Sequence, residues 1–120
     1  MKEYAIYSSN LNDSLAFYRT LFDRMPVELN TQRLVFVVED FRLEISEAAG
    51  NEAHMLTYPM LDKTQLISVH ERMKRFRSVE RFRSDCQELN QSFGLKDPDG
   101  NRWKVGDPSA VIHFDQCYFN

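Results

Sequence analysis

The sequence contains an internal repeat, and a repeat of this kind constrains the fold more than any single motif. Arg42–Ile45 (Arg-Leu-Glu-Ile) is matched sixty positions later by Arg102–Val105 (Arg-Trp-Lys-Val). A short strand pattern and a helix pattern precede each copy, with the helices predicted at Leu11–Phe22 and Lys63–Phe76. Two units of the order strand, helix, strand, strand, strand account for most of the chain. The repeat therefore predicts an α+β fold of two βαβββ units.

The length of 120 residues suits one domain that buries its own core. The first unit is predicted to span roughly residues 1–50 and the second roughly residues 54–107. A third segment, over 108–120, is unexpectedly apolar and forms a C-terminal tail. We therefore predict a single domain built from two similar halves and a tail.

Charge and composition exclude several classes of function. The formal net charge is −3, which does not favour nucleic acid or an anionic membrane. The basic residues from Lys74 to Arg83 are interleaved with or flanked by Glu71, Glu80, Asp85 and Glu88, which indicates a solvated face or a subunit contact. The chain has no apolar run of membrane-spanning length and no signal-peptide core near its start. Cys86 and Cys117 lack metal-type spacing, so we expect free thiols and a cytoplasmic protein.

The second unit is predicted to end in a β-hairpin over Phe93–Val105. Asp97–Asn101 (Asp-Pro-Asp-Gly-Asn) has turn chemistry at every position, and Gly100 supplies the left-handed conformation. In the returning strand, alternate side chains point to opposite faces. Trp103 is expected in the core, and the cations Arg102 and Lys104 are expected on the other face.

Two motifs resemble those of a known superfamily. Asn10–Arg19 (NLNDSLAFYR) resembles the first strand-to-helix stretch of the vicinal oxygen chelate superfamily, and Asp97–Trp103 (DPDGNRW) resembles its final hairpin. That group includes glyoxalase I, bleomycin-resistance proteins, fosfomycin-resistance enzymes and extradiol dioxygenases. The resemblance spans Glu3 to Gly106. It implies a cupped mixed sheet with helices on the convex side and a small-molecule site on the concave face.

The resemblance also implies where a metal would bind. Matched motif to motif, the metal-ligand positions of the family fall on Glu3, Glu44, His54 and Lys104. A protonated lysine has no lone pair and cannot bind a cation, but it can supply the charge that the metal would bring. We therefore expect a metal-free polar cluster without cofactor. The alternative is one divalent metal held by Glu3, Glu44 and His54.

Strand alternation extends the expected concave face. It adds aromatic and guanidinium side chains, which suit an anionic or aromatic small molecule. The repeat makes Glu44 and Lys104 equivalent, and we expect them to face each other across the cleft. The added residues are Tyr7, Arg42, Tyr58 and Arg102.

Three functions stay open from the sequence. The primary hypothesis is a small-molecule binding protein of this superfamily with a metal-free cleft. The second is a metal-dependent lyase, transferase or dioxygenase, and the third is an interaction protein that kept the fold without a working pocket. A homodimer is expected because the apolar tail over Val111–Phe119 needs cover. His70 and His113 are expected to be ordinary exposed residues.

Overall fold

The computed structural model describes residues 1–50, 52–60, 62–76 and 92–107. The strand-like sequence over 79–84, both cysteines, His113 and the tail over 108–120 lie outside the described residues. The described residues group into two compact units, one of which is Met1–His54 with Pro98–Gly100. In chain order the elements are β1 (Lys2–Ser8), α1 (Leu11–Phe22), β2 (Glu28–Leu29), β3 (Arg33–Val38), β4 (Phe41–Glu47), β5 (Met55–Pro59), α2 (Lys63–Met73), β6 (Ser92–Lys96) and β7 (Arg102–Gly106).

Local capping fixes the bounds of α1. The Asn10 side chain accepts hydrogen bonds from the backbone amides of Asn12 at 3.0 Å and Asp13 at 3.2 Å. These bonds satisfy two of the amide groups that the first turn of a helix leaves unpaired. Asp23, with φ of 52°, ends the helix in the left-handed conformation. The predicted bounds of α1 are confirmed.

One face of the first sheet is buried against α1. The sheet has the strand order β1-β4-β3-β2, with β1 parallel to β4 and the other neighbours antiparallel. Tyr18 of α1 lies 6.3 Å from Phe36 between ring centroids, and Phe22 lies 5.6 Å from Phe41. Side chains alternate along each strand, so the residues between these aromatic positions face away from α1. That opposite face is the open face of the first sheet.

The second unit has the same pairing pattern. Its sheet has the order β5-β7-β6, with β5 parallel to β7 and β6 antiparallel to β7. Trp103, Phe93 and Leu95 are fully buried on the side of α2. Burial of such large apolar side chains supplies most of the driving force for folding.

The expected exposure of His70 is wrong. His70 is only 2% exposed, and its ring meets Phe93 edge to face at 4.9 Å between centroids. It belongs to the buried side of α2 with Leu66, Val69 and Met73. Residues three and four positions apart share one helix face, so this position is part of the stripe that covers the sheet.

The α+β class predicted from the repeat is confirmed. The first unit shows the full βαβββ order, and α2 ends at Met73, earlier than the predicted Phe76. Gly100 has the predicted positive φ, at 88°. Within the described residues, neither helix has the length and apolar character needed to cross a membrane.

Candidate functional site

Four of the predicted site residues share the open face of the first sheet. The register of β1 on β4 pairs Glu3 with Arg42 and Ala5 with Glu44. Because alternate side chains point to the same side, Tyr7 also lies on this face. Tyr7 is 44% exposed, so its ring is accessible to solvent. The structure therefore brings together the first-unit residues that the sequence grouped.

A chain of ion pairs crosses this face. Arg33 contacts both carboxylate oxygens of Glu28, and its Nη2 donates to Oε1 at 3.1 Å. The Nη1 of Arg33 donates to Oε1 of Glu44 at 3.0 Å. Arg42 lies 3.6 Å from that same oxygen, and its other terminal nitrogen lies 3.7 Å from Oε1 of Glu3. We call Glu28, Arg33, Glu44, Arg42 and Glu3 the charged network.

Within the charged network, the contact between Glu28 and Arg33 favours the ionised forms of these two side chains. A hydrogen bond from Arg33 lowers the pKa of the Glu28 carboxyl below its ordinary value. The same bond raises the pKa of the Arg33 guanidinium. Three carboxylates face two guanidiniums, so the network has one net negative charge. Its arginines are already occupied by carboxylates of the same sheet.

Acid titration should reveal the pair between Glu28 and Arg33. A carboxyl whose pKa is lowered by folding stabilises the native state above its unfolded pKa, and that contribution is lost as the pH falls through the folded pKa. Lowering the pH from about 6 to about 3 should therefore reduce the free energy of unfolding more in the native protein than in the Glu28→Gln variant. Urea unfolding at each pH measures the difference. Glu39→Gln, in the exposed turn after β3, is the control. Parallel curves for native protein and Glu28→Gln would contradict this assignment.

The carboxylates of the first sheet do not fit a divalent metal in this arrangement. Glu3 and Glu44 are the two candidate ligands on the strands of this sheet, and Arg42 lies within 4 Å of both. A guanidinium supplies only donors, so it repels a cation from the position between them. Among the described residues, no three His, Cys, Asp or Glu side chains are grouped closely enough to hold a metal ion. Arg42 and Arg33 supply positive charge beside these carboxylates within the first sheet. The same role for Lys104 stays a prediction.

In the second unit, Arg102 and Lys104 lie on one face of β7, as predicted. The register pairs Arg102 with Met55, and Lys104 with Thr57. The side away from α2 therefore carries both cations. This register makes Lys104 the counterpart of Glu44, as the repeat predicted. The pairing of Lys104 with Glu44 across a cleft stays a prediction.

The expected face of Tyr58 is wrong by one residue. Tyr58 pairs with Val105, which places it on the same side as Trp103 and opposite to Lys104. His54 is exposed and lies one residue before β5. In register, Met55 occupies in the second sheet the place that Glu3 has in the first. A ligand-binding role for His54 or Tyr58 stays a prediction.

Sequence reasoning missed two members of the charged network, Arg33 and Glu28. Both lie on the open face, because Arg33 pairs with Ser46 and Glu28 pairs with Val35. Arg33 begins a strand whose other residues, Leu34–Val38, are all apolar, so the sequence alone does not indicate which face Arg33 occupies. Nothing local in the sequence indicates that Glu28 would meet it, since β2 is only two residues long.

An open cavity of about 610 Å³ lies in the first unit, and none of the predicted site residues lines it. Its walls come from the start of α1 and from the turn after β2. Two of its polar groups are committed to the fold: Asn10 caps α1, and Asn30 accepts from the amides of Gln32 and Arg33.

Comparison with known proteins identifies the fold. Neither a protein-family model nor a curated protein matches the sequence. Among solved structures, a genomically encoded fosfomycin resistance protein from Listeria monocytogenes is similar with a TM-score of 0.72 and 14% identity, covering 97% of this chain and 95% of that one. Lactoylglutathione lyase from Agrobacterium tumefaciens is similar with a TM-score of 0.67 and 22% identity, covering 90% and 92%.

A third solved structure agrees with these two. The glyoxalase/bleomycin resistance protein from Albidiferax ferrireducens has a TM-score of 0.66 and 15% identity, and the match covers 88% of this chain and 95% of that one. All three proteins belong to the vicinal oxygen chelate superfamily. This chain has the glyoxalase-like fold of that superfamily, which confirms at the level of fold the resemblance seen in two sequence motifs. A shared fold hosts many functions, so function has to be argued from the site.

Proposed function

We propose that this protein binds a small aromatic molecule on the open face of the first sheet, without a divalent metal. One observation carries the proposal: the charged network pairs its carboxylates with arginines while the ring of Tyr7 stays accessible beside it. A rigid polar surface with one exposed ring offers stacking together with oriented hydrogen-bond groups. The arginines of this face are paired with carboxylates, so an aromatic ligand fits the face better than an anionic one.

The proposal predicts that aromatic metabolites raise the melting temperature through Tyr7. A ligand that binds only the native state stabilises it by mass action. A thermal-shift screen of aromatic metabolites in the presence of EDTA should give at least one hit. For that compound, Tyr7→Ala should weaken binding by about tenfold, corresponding to the loss of one stacking partner.

Ile67→Ala is the matched control, because Ile67 is 45% exposed and lies on α2. The control should keep the affinity of the native protein. Hits that lose affinity equally in both variants, or hits that appear only after metal is added, would overturn the proposal. The second outcome would favour the metal-dependent enzyme of the same fold.

We also propose a symmetric homodimer, on the basis of the apolar residues Val111–Phe119. These residues lie outside the part of the chain that the structure describes, so the support is their composition. Light scattering at micromolar concentration should give twice the chain mass. A chain truncated after Pro108 should give the mass of a monomer, and an unchanged dimer would show that the tail is not the interface. A cytoplasmic location is proposed separately, from the expected free thiols of Cys86 and Cys117.

A further inference from the structure

The open cavity of the first unit lies on the opposite side of the first sheet from the charged network. Leu34, which lines the cavity, is two positions before Phe36, whose ring faces Tyr18 of α1. Leu29 pairs with Leu34 in register, so alternation places both leucines on the side of α1. The cavity of about 610 Å³ is therefore bounded by this side of the sheet and by the start of α1.

Leucine side chains supply the apolar part of the cavity. Leu11 and Leu15 come from α1, and Leu29 and Leu34 come from the sheet. Leu29 is 54% exposed, although its register partner Leu34 is fully buried. An apolar group that covers an exposed leucine removes its surface from water, which is favourable. The volume of about 610 Å³ lies in the range that is usual for small-molecule sites.

The cavity has one ionisable group, the carboxylate of Glu47. No other described residue that lines the cavity carries a charge. The Glu47 backbone amide donates to the carbonyl of Gln32 at 2.9 Å, which fixes the end of β4. Its carboxylate makes no hydrogen bond or ion pair with the residues that the structure describes. By contrast, Glu3, Glu28 and Glu44 on the other side of the sheet each lie within 4 Å of an arginine.

Donor groups that could attract an anion to the start of α1 are already occupied. The Asn10 side chain accepts from the backbone amides of Asn12 and Asp13. The backbone amide and the hydroxyl of Ser9 both donate to the Asp99 carboxylate, at 2.9 Å and 2.7 Å. A carboxylate inside the cavity also repels an anion. The polar side of the cavity therefore favours a cation.

We propose that this cavity binds a small organic cation, an ammonium group on a compact aliphatic body. The ammonium donates to the carboxylate of Glu47, and the aliphatic body covers Leu11, Leu15 and Leu29. A hydrogen bond between two ionised groups is stronger than one between neutral groups, and the aliphatic contact adds hydrophobic free energy. The cavity shares no lining residue with the charged network or Tyr7. The site is thus tested independently of the aromatic site proposed above.

Three ligands that share one ring and differ in charge test the proposal on the full chain. They are cyclohexylmethylamine, whose amine is protonated near pH 7, cyclohexylmethanol and cyclohexanecarboxylate. The amine should raise the melting temperature saturably, and calorimetric titration should show that the alcohol binds about tenfold more weakly. The carboxylate should give no saturable response. Equal responses to all three ligands, or no response to the amine, would overturn the proposal.

Amide resonances of the ¹⁵N-labelled protein give the position of the bound amine. Saturation with cyclohexylmethylamine should shift the resonances of Asn30, Thr31 and Glu47, which line the cavity. The resonance of Tyr7 on the open face should stay in place, because the probe has no aromatic ring. Shifts confined to the open face would place the amine elsewhere and overturn the cavity site.

Glu47→Gln separates the charge of the cavity from its shape. This substitution should weaken binding of the amine by about tenfold or more and leave the affinity for the alcohol unchanged. Glu39→Gln removes the same charge from the exposed turn after β3, outside the cavity, and should keep the native affinity for both ligands. Equal losses of amine affinity in the two variants would show that net charge alone is responsible, and would overturn the site.

Leu29→Thr tests the apolar wall. It should weaken binding of the amine and of the alcohol by a similar factor, about fivefold, because both ligands carry the same ring. Val27→Thr is the matched control, since Val27 is 67% exposed just before β2 and does not line the cavity. The control should bind both ligands as the native protein does. Native affinity in Leu29→Thr would contradict the proposed contact with the aliphatic body.

Discussion

Asp97→Ala is expected to destabilise the protein by about 2–4 kcal/mol, because it strips two buried donors of their acceptor. Asp97 is 4% exposed and Asn101 is 2% exposed. One carboxylate oxygen accepts from the Asn101 backbone amide at 2.8 Å, and the other accepts from its side-chain amide at 2.8 Å. After the substitution both donors stay buried without this partner. Urea unfolding measures the loss.

Two further variants make this prediction specific. Asp97→Asn keeps one acceptor oxygen and should lose less stability than Asp97→Ala. In a double-mutant cycle with Asn101→Ala, the pair should show a coupling of about 1 kcal/mol or more, since each side chain is the hydrogen-bond partner of the other. Purely additive losses would mean that the contact between the two side chains does not contribute to stability.

The same hairpin determines on which face of the second sheet each residue of β6 and β7 lies. The turn over Asp97–Asn101 fixes the register of β6 on β7, so Gly94 pairs with Lys104 and Phe93 with Val105. A slip of one residue would move Lys104 to the side of α2 and Trp103 to the open side. The turn sequence therefore determines which side of the second sheet each of these side chains occupies.

Much of the fold could be predicted because the signals were local. Asn10 is a strong helix cap, and the stripe of apolar residues behind it has helical spacing, so α1 was predicted to its end residues. The residues of Asp97–Asn101 specify their own turn. The repeat of Arg42–Ile45 at Arg102–Val105 placed Glu44 and Lys104 at equivalent strand positions, which the two registers confirm.

The face of β5 could not be predicted because its sequence does not alternate. Met55–Pro59 is Met-Leu-Thr-Tyr-Pro, and every one of these side chains is compatible with either side of a half-buried sheet. Pairing with β7 decides the matter, since Leu56 lies opposite Trp103. As a result of this long-range pairing, Tyr58 lies on the face opposite to Lys104. A single-residue ambiguity in one strand is enough to change the membership of a predicted site.

The ion pairs of Glu28, Arg33 and Glu44 could not be predicted for a different reason. Glu28 and Arg33 meet across the turn between β2 and β3, and Glu44 joins them from β4. Such contacts depend on which strands are neighbours and on the lengths of the side chains, which a single strand pattern does not contain. The sequence therefore indicated that positive charge accompanies Glu3 and Glu44. It assigned that charge to Lys104, whereas Arg42 and Arg33 contact these carboxylates within the first unit.

Purified native protein is expected to carry less than one divalent metal ion per chain. The Arg42→Met variant is expected to bind manganese more tightly than the native protein, by a factor of about ten or more. In the native protein Arg42 lies 3.6 Å from Glu44 and 3.7 Å from Glu3, so a second cation is repelled. Without Arg42 these carboxylates retain less counter-charge, and a cation that prefers oxygen ligands can replace it. Elemental analysis and manganese titration measure the two quantities.

Replacing the Arg42 guanidinium by a manganese ion should also change the stability of the protein. Arg42→Met is expected to cost about 0.5–1.5 kcal/mol in metal-free buffer, a modest amount because the side chain is 33% exposed. Manganese should restore part of that loss in Arg42→Met and have little effect on the native protein. Arg19→Met, which removes an exposed charge from the last turn of α1, should show neither behaviour. Native protein that binds manganese as tightly as Arg42→Met would show that the guanidinium does not exclude the metal, and would favour the metal-dependent enzyme over the metal-free binding protein.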